Sequence, residues 1–353
     1  RQTGERTLNN SQDTANNVRH SYPIAIRDDS IKTAFGLLLQ TLPYALIRFG
    51  ILLAVSLVTL VWAIVTFGGA AFLGEKIHGV FGLGWLAGLG GIYGYIWYTI
   101  VRYGLYLIKC GHIAVLTELI THGQIGNGDE GMFAYGRRII QEKFTQVNVL
   151  FALDLLVDGV VKAFNNTLDW IGSLLPIPGL DSLMKLVNSI LFMASTYIDE
   201  TIFSYSLARG ETNPWRGGQD GLLYYCNNVK EILKTALWAV VLDKICTFLL
   251  WVVFMAPALL FVWISPFPVL SGAAILAAFL CAANARSAFL EPLFLIMVMI
   301  KFHVAAENQP VNLDWDSRLT TLSGNFVEIK EKAAAWVTST TPAPAPEAGA
   351  TGV

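Results

Sequence analysis

Apolar positions along the chain fall into two kinds of segment: long uninterrupted runs, and shorter stretches in which they recur every three to four residues. From Tyr44 to Leu73 the only charge is Arg48, near the start; after the polar turn at Glu75, Lys76 and His78, residues 79–108 run apolar apart from Arg102. Two further runs, residues 236–264 and 269–290, are joined by Ser265-Pro266-Phe267-Pro268 into a tight hairpin. Each run reaches or exceeds the roughly 20 residues that cross a bilayer as a helix. The pattern therefore predicts an all-α integral membrane protein with four transmembrane helices. The lipid bilayer is its first partner.

The periodic stretches lie between and around these runs. Ser30 is placed as an N-cap for a helix over residues 30–41 that puts Ile31, Phe35, Leu38 and Leu39 on one face, the pattern of a helix lying in the membrane interface. Pro43 separates it from the first span. Over residues 146–173, Asp154, Asp158, Lys162, Asn165 and Asp169 form one polar stripe on an otherwise apolar helix. After Pro176 and Pro178, residues 180–208 repeat the idea with Asp181, Lys185 and Asn188 and end in Asp199 and Glu200. The two make a central amphipathic helical hairpin. If it lies on the surface or enters partway, the stripes face water; if it spans, adding two crossings, they face each other or a wet cavity, because a lone charge in hydrocarbon costs about 2.5 to 3.5 kcal/mol or more. Both readings stay open on the sequence.

The resulting organisation is a polar N-terminal segment with its interfacial helix (1–42), a transmembrane hairpin (43–108) and a cytoplasmic segment (109–145). There follow the amphipathic hairpin (146–208), a cytoplasmic amphipathic helix (209–235) and a second transmembrane hairpin (236–300). A C-terminal segment (301–353) holds one modest amphipathic helix over 311–337 and a Thr/Pro/Ala/Gly tail too low in complexity to bury a core. Lys and Arg gather in the segments outside the runs, while the loops after Leu73 and Ile264 hold only Lys76. Positive charge accumulates on the cytoplasmic side, so both termini are expected there or on its equivalent.

Composition agrees with the pattern: 54% of residues are hydrophobic and 14% charged, against about 25% charged in a typical soluble domain. A net charge of -2 offers no basic patch, which argues against nucleic acid as a partner. The first thirty residues have no apolar core and do not read as a secretory signal; a start at Arg1 rather than Met fits processing or missing first residues equally. Cys110, Cys226, Cys246 and Cys281 are far apart and read as reduced and structural.

Candidate chemistry is sparse. The five histidines are scattered, with no H-E-x-x-H and no Cys/His spacing suited to zinc; serines lack a G-x-S-x-G setting and no paired carboxylates sit in a pocket-like context. No enzyme activity, cofactor or metal is expected. Gly84, Gly88, Gly91 and Gly94 thin one region of the second span, and Gly84/Gly88 and Gly90/Gly94 have the GxxxG spacing that admits another helix, of this chain or of a second subunit. Arg286 and Glu291, close to Asn284 and Pro292 in the fourth span, are intramembrane ionisable groups and so functional candidates, with headgroup snorkelling the plainer alternative. Asp243 and Lys244 enter the third span together. With Asp154, Asp158 and Lys162 these residues outline a polar path.

Residues 221–250, GLLYYCNNVKEILKTALWAVVLDKICTFLL, resemble a stretch of the choline transporter-like family in which an amphipathic segment leads into a span containing V-V-L-D-K, and residues 286–307 are similar to that family's last helix. Asp243 and Lys244 match its pattern. The resemblance covers about a seventh of the chain and implies transport of choline or a similar cation; the shorter chain, the fewer crossings and the missing Cys-rich loop depart from the family. Two functions follow: a non-enzymatic scaffold or accessory subunit of a membrane assembly, and a small transporter or channel for an organic cation or lipid headgroup.

Overall fold

The structure is a computed structural model that describes residues 22–126, 128–165 and 197–340. Among the described residues there is no strand. Four helical stretches are long and apolar enough to cross a membrane: Leu42–Lys76, Gly79–His122, Val229–Ile264 and Leu270–Ala306.

Each pair forms a hairpin. The first runs from α1 (Ile31–Gln40) into α2 (Leu42–Lys76), turns at Ile77 and His78, and returns as α3 (Gly79–Ile96), a five-residue π-helical segment (Trp97–Val101) and α4 (Arg102–His122). The last runs from α8 (Pro214–Asn227) into α9 (Val229–Ile264) and returns as α10 (Pro268–Ala285), a second five-residue π segment (Arg286–Leu290) and α11 (Glu291–Ala306). Between them lie α5 (Met132–Glu142), α6 (Phe144–Asn165) and a helix over residues 197–208, here α7; α12 (Leu313–Leu322) and α13 (Gly324–Thr340) follow.

The long helices live in two environments. α2 and α9 have 35 and 36 residues, so at 1.5 Å per residue each is over 50 Å long, well beyond a hydrocarbon core of about 30 Å. Their turn-side portions, with α3 and α10, expose large apolar side chains such as Val58, Ile64, Phe67, Phe81, Phe248, Val253 and Trp263. Their other ends sink into a helical base. There Ile113, Leu116 and Ile120 of α4, Leu153, Val160 and Phe164 of α6, Ile198 and Tyr205 of α7, Leu222 and Tyr225 of α8, and Phe294, Met299 and Phe302 of α11 form one buried core.

The base corrects several boundaries expected from the pattern. Within the segment 109–145, residues 109–122 are a buried continuation of the second helix, where Cys110, Ile113, Leu116 and Ile120 pack inward. The fourth helix likewise runs on to Ala306, and the third begins at Val229 rather than 236. The C-terminal helix is two helices, broken at Ser323 in extended backbone (φ -141°, ψ 116°). Of the amphipathic hairpin, α6 and α7 are described and pack in the base; its tip, with Asp169, Pro176, Pro178, Asp181, Lys185 and Asn188, lies outside the described residues.

One joint recurs. Thr41 between α1 and α2 (φ -101°, ψ 16°), Lys143 between α5 and α6 (φ -103°, ψ 19°) and Asn228 between α8 and α9 (φ -111°, ψ 17°) share one backbone conformation, and each joins a short helix to a long one. A left-handed residue also ends each of α4, α7 and α11: Gly123 (φ 76°), Gly210 (φ 67°) and Asn308 (φ 54°). Left-handed backbone at a helix C-terminus favours Gly or Asn.

Residues 22–29 lie as a strap across the base. The amides of Ala25 and Ile26 donate to Ile120 O at 2.9 and 3.0 Å, Arg27 makes two bonds to Glu307 at 2.5 and 2.6 Å, and Asp29 accepts from Thr235 at 2.9 Å. The described ends of the chain thus meet in the same body.

Candidate functional site

Where the exposed hairpins enter the base, three of the charged residues singled out in the sequence converge. Arg286 opens the second π segment, which ends two residues before Pro292, whose missing N–H leaves Ala288 O without its usual α-helical donor. Facing it from α9 is Asp243, 1% exposed. The Arg286 guanidinium donates to Asp243 Oδ2 at 3.0 Å and lies 3.6 Å from Glu291 Oε1, which also accepts from Ser287 Oγ at 3.0 Å. The other Glu291 oxygen accepts from Arg48 of α2 at 2.7 Å. Two guanidinium groups and two carboxylates therefore close a neutral network that joins the two hairpins. Asn284 adds a bond to Ser56 Oγ at 2.9 Å.

Arg48, the only charge of the first apolar run, has a side chain 18% exposed and committed to Glu291. Tyr197 of α7 also belongs here: burial pushes its phenol up, Glu291 and Asp243 add to that, and Arg286 and Arg48 oppose it. Nothing in its sequence setting marks Tyr197. The remaining path residues are not brought into the cluster. Lys244 is exposed beside it, Asp158 and Lys162 pair with each other at 2.6 Å on the outer face of α6, and the side chain of Asp154 lies outside those described.

One turn beyond Tyr197, Glu200 of α7 is 4% exposed and is paired through Oε1 with Lys109 of α4. Both line a cleft between α4, α6 and α7, together with Tyr106, Asp199 and Phe203.

Deeper in the base, hydrogen bonds of 2.7 Å run from Tyr22 to His303 Nδ1, from His303 Nε2 to Ser204 and from Ser204 to Thr117. A serine at this distance from an imidazole is the spacing of a nucleophile and its base. Here Ser204 and His303 are both 0% exposed and the serine is also tied to Thr117, so the row fastens the strap, α11, α7 and α4 together. Among the described residues no group of three or more His, Cys, Asp or Glu side chains could hold a metal ion. The four cysteines are free.

The glycines of α3 divide by face. The hairpin contact uses Gly82, where an added Cβ would meet Ala70 O of α2 at 2.5 Å, and the indoles of Trp62 and Trp85, which reach Leu89 O and Val65 O at 3.2 and 3.3 Å. Apart from the adjoining turns of their own helix, Gly84, Gly88, Gly91 and Gly94 have no described atom within 4 Å of where a Cβ would sit. At 100° per residue, Gly84, Gly88 and Gly91 fall within about 60° of one another and on the side of α3 turned away from α2.

No protein family, characterised protein or solved structure matches the chain.

Proposed function

We propose that this protein is a non-enzymatic integral membrane scaffold or accessory subunit. Its two exposed hairpins lie in the bilayer, its helical base and both ends lie on the cytoplasmic or equivalent side, and α3 offers its glycine face to a helix of another subunit. The observation that carries the reading is that face: Gly84, Gly88 and Gly91 in an apolar span, turned away from their own hairpin partner, with no other helix of the described chain within 4 Å of where a Cβ would sit. Close helix approach in lipid is favoured where side-chain bulk is missing. The apolar belt supports the membrane placement, since soluble monomers rarely expose contiguous apolar patches beyond a few hundred Å². Exposed basic residues at the foot of the hairpins, Lys244 among them, support the side, because Lys and Arg collect at the cytoplasmic boundary. Ile31, Phe35 and Leu39 of α1 stay exposed at that level, as an interfacial helix requires.

The test is native mass spectrometry of tagged protein released from its own membrane in mild detergent, alongside Gly88→Leu. A wild-type complex with fixed partners that the variant loses is the expected outcome. A lone monomer in both samples overturns the reading.

The four-charge network favours a second reading, a small transporter for an organic cation or lipid headgroup of the choline transporter-like kind, because charged groups that face a bundle interior often mark a solute path. Uptake of choline into vesicles holding the purified chain, abolished by Asp243→Asn, would put this reading ahead of the first; vesicles no leakier to choline than protein-free ones would remove it.

A further inference from the structure

The two hairpins repeat one unit. Thr41 and Asn228, in the same backbone conformation, each lead from a short helix into a long one, α2 of 35 residues and α9 of 36. Gly79, Trp97 and Arg102 then open α3, the first π segment and α4; at one constant interval along the chain, Pro268, Arg286 and Glu291 open α10, the second π segment and α11. Trp62 and Trp251 are separated by that same interval, and each ring lies against its own returning helix, on Tyr93 and Phe279 with centroids 6.3 and 5.0 Å apart. Both units run from the base to the turn and back, the sense of parallel repeats, which in membrane proteins are related by an axis along the membrane normal.

One face of the second unit is covered, and its counterpart in the first is bare. Asn284 bonds Ser56 of α2 at 2.9 Å, Phe289 meets Phe49 with centroids 5.8 Å apart, and Asn284, Ala285 and Ala288 are buried. One interval back stand Tyr95, Ile96 and Thr99, all exposed, Tyr95 by 70%. The α2 surface that does the covering has counterparts too. One interval on from Phe49 and Ser56 stand Trp238 and Ile245 of α9, 58% and 52% exposed. α3 packs on α2, α2 on α10 and α10 on α9, so the two bare faces lie at opposite ends of the row.

We propose that a second copy of this chain covers both: α9 of each copy packs on α3 and the first π segment of the other, as α2 packs on α10 and the second π segment within one chain. The inference rests on the scaffold reading above and names the subunit that α3 meets. A contact between unlike faces generates a ring when its rotation closes, and two copies of two units each make a ring of four hairpins. Where the contact within the chain joins Asn284 to Ser56, the contact between copies sets Tyr95 against Ile245, so packing rather than hydrogen bonding holds it. Packing in lipid requires close approach. At about 100° per residue, Gly84 and Gly88 fall within about 40° of Tyr95 on α3, and they extend the same side toward the turn without bulk.

The experiment is oxidative cross-linking, in the membrane, of two differently tagged full chains expressed together. Both carry Cys246→Ser and Cys281→Ser, which leaves only buried native thiols; one also carries Tyr95→Cys and the other Ile245→Cys. A disulfide-linked species with both tags is expected, several-fold more abundant than when Val58→Cys, on an exposed part of α2, replaces Tyr95→Cys. A yield no higher than that control overturns the proposal, as does a higher yield between two Tyr95→Cys chains, the sign that α3 meets α3 instead. The wild-type chain removes dependence on how the variants fold: native mass spectrometry in mild detergent is expected to count two copies. A single copy among fixed partners of other kinds overturns this inference and leaves the scaffold reading standing, whereas a lone monomer overturns both.

Discussion

Asp243 shows what single residues contribute. It is almost wholly enclosed, and Arg286 supplies its counter-charge. Removing one member of such a pair strands the other, at about 3 to 5 kcal/mol for fully buried pairs; Arg286 is a third exposed, which puts Arg286→Met at the lower end, about 3 kcal/mol. Asp243→Asn in the same chain removes the stranded charge, so the double variant is expected to recover more than half of that loss. Denaturant unfolding of the purified single and double variants measures both terms, and additive losses would mean that the pair is not coupled. The sequence pointed to Asp243, Arg286 and Glu291 because a charge inside an apolar run is legible without any structure. It could not point to Arg48 or Tyr197. Arg48 sits 243 positions from its partner Glu291, and a long basic side chain near the end of a span looks the same whether it reaches headgroups or another helix.

At the scale of elements, the recurring joint leads from a short helix into a long one, into the hairpins at Thr41 and Asn228 and between them at Lys143. At Thr41 the hydroxyl donates to Leu37 O at 3.0 Å and is bonded to His112 Nε2 at 2.8 Å, so the same side chain ends α1 and holds α4. Thr41→Ala would leave a buried imidazole nitrogen without its partner, at an expected cost of about 1 to 3 kcal/mol, whereas Thr41→Ser should lose less than half as much; chemical unfolding of both variants checks this. The packing of α5 beside it allows no side chain at Gly136, where a Cβ would strike the Tyr44 hydroxyl and approach Gly111 O to 3.0 Å. Helix lengths were only partly legible. Hydropathy marks where a helix leaves the apolar medium, not where the helix itself stops, so the apolar runs end at residues 108 and 290 although both helices continue into the core, to His122 and Ala306. The break at Ser323 was equally hidden, since extended backbone there depends on how α12 and α13 pack. The Ser30 cap, by contrast, was readable, because a serine before an apolar periodic stretch is a local signal.

For the whole molecule, the four apolar helices and the all-helical class were plain from the pattern, while the helical base was not, because its core draws on segments far apart in sequence. The strap across that base should respond to acid. The Arg27 guanidinium holds the Glu307 carboxyl below its usual range, and bonds from Thr33 and Ser30 do the same for Asp28. A carboxyl whose folded value is depressed contributes stability above its unfolded value, about 4 to 4.5, and loses it as pH falls through the folded one. The strap is therefore expected to hold at neutral pH and loosen below about pH 4, with Glu307→Gln loosened at every pH. The mobility of a dye attached at Pro23→Cys reports it, and a response identical in wild type and variant would rule out this ion pair as the fastening. The same strap also sets a clock on the birth of the protein. Tyr22 and His303 are 281 positions apart, so at 5 to 20 residues per second the ribosome delivers the second roughly 15 to 55 s after the first. For the last 181 of those 281 positions the first apolar hairpin, which ends at His122, is already made, but the segment that fastens its foot has nothing to grip, and the hairpin must wait for the rest of the base.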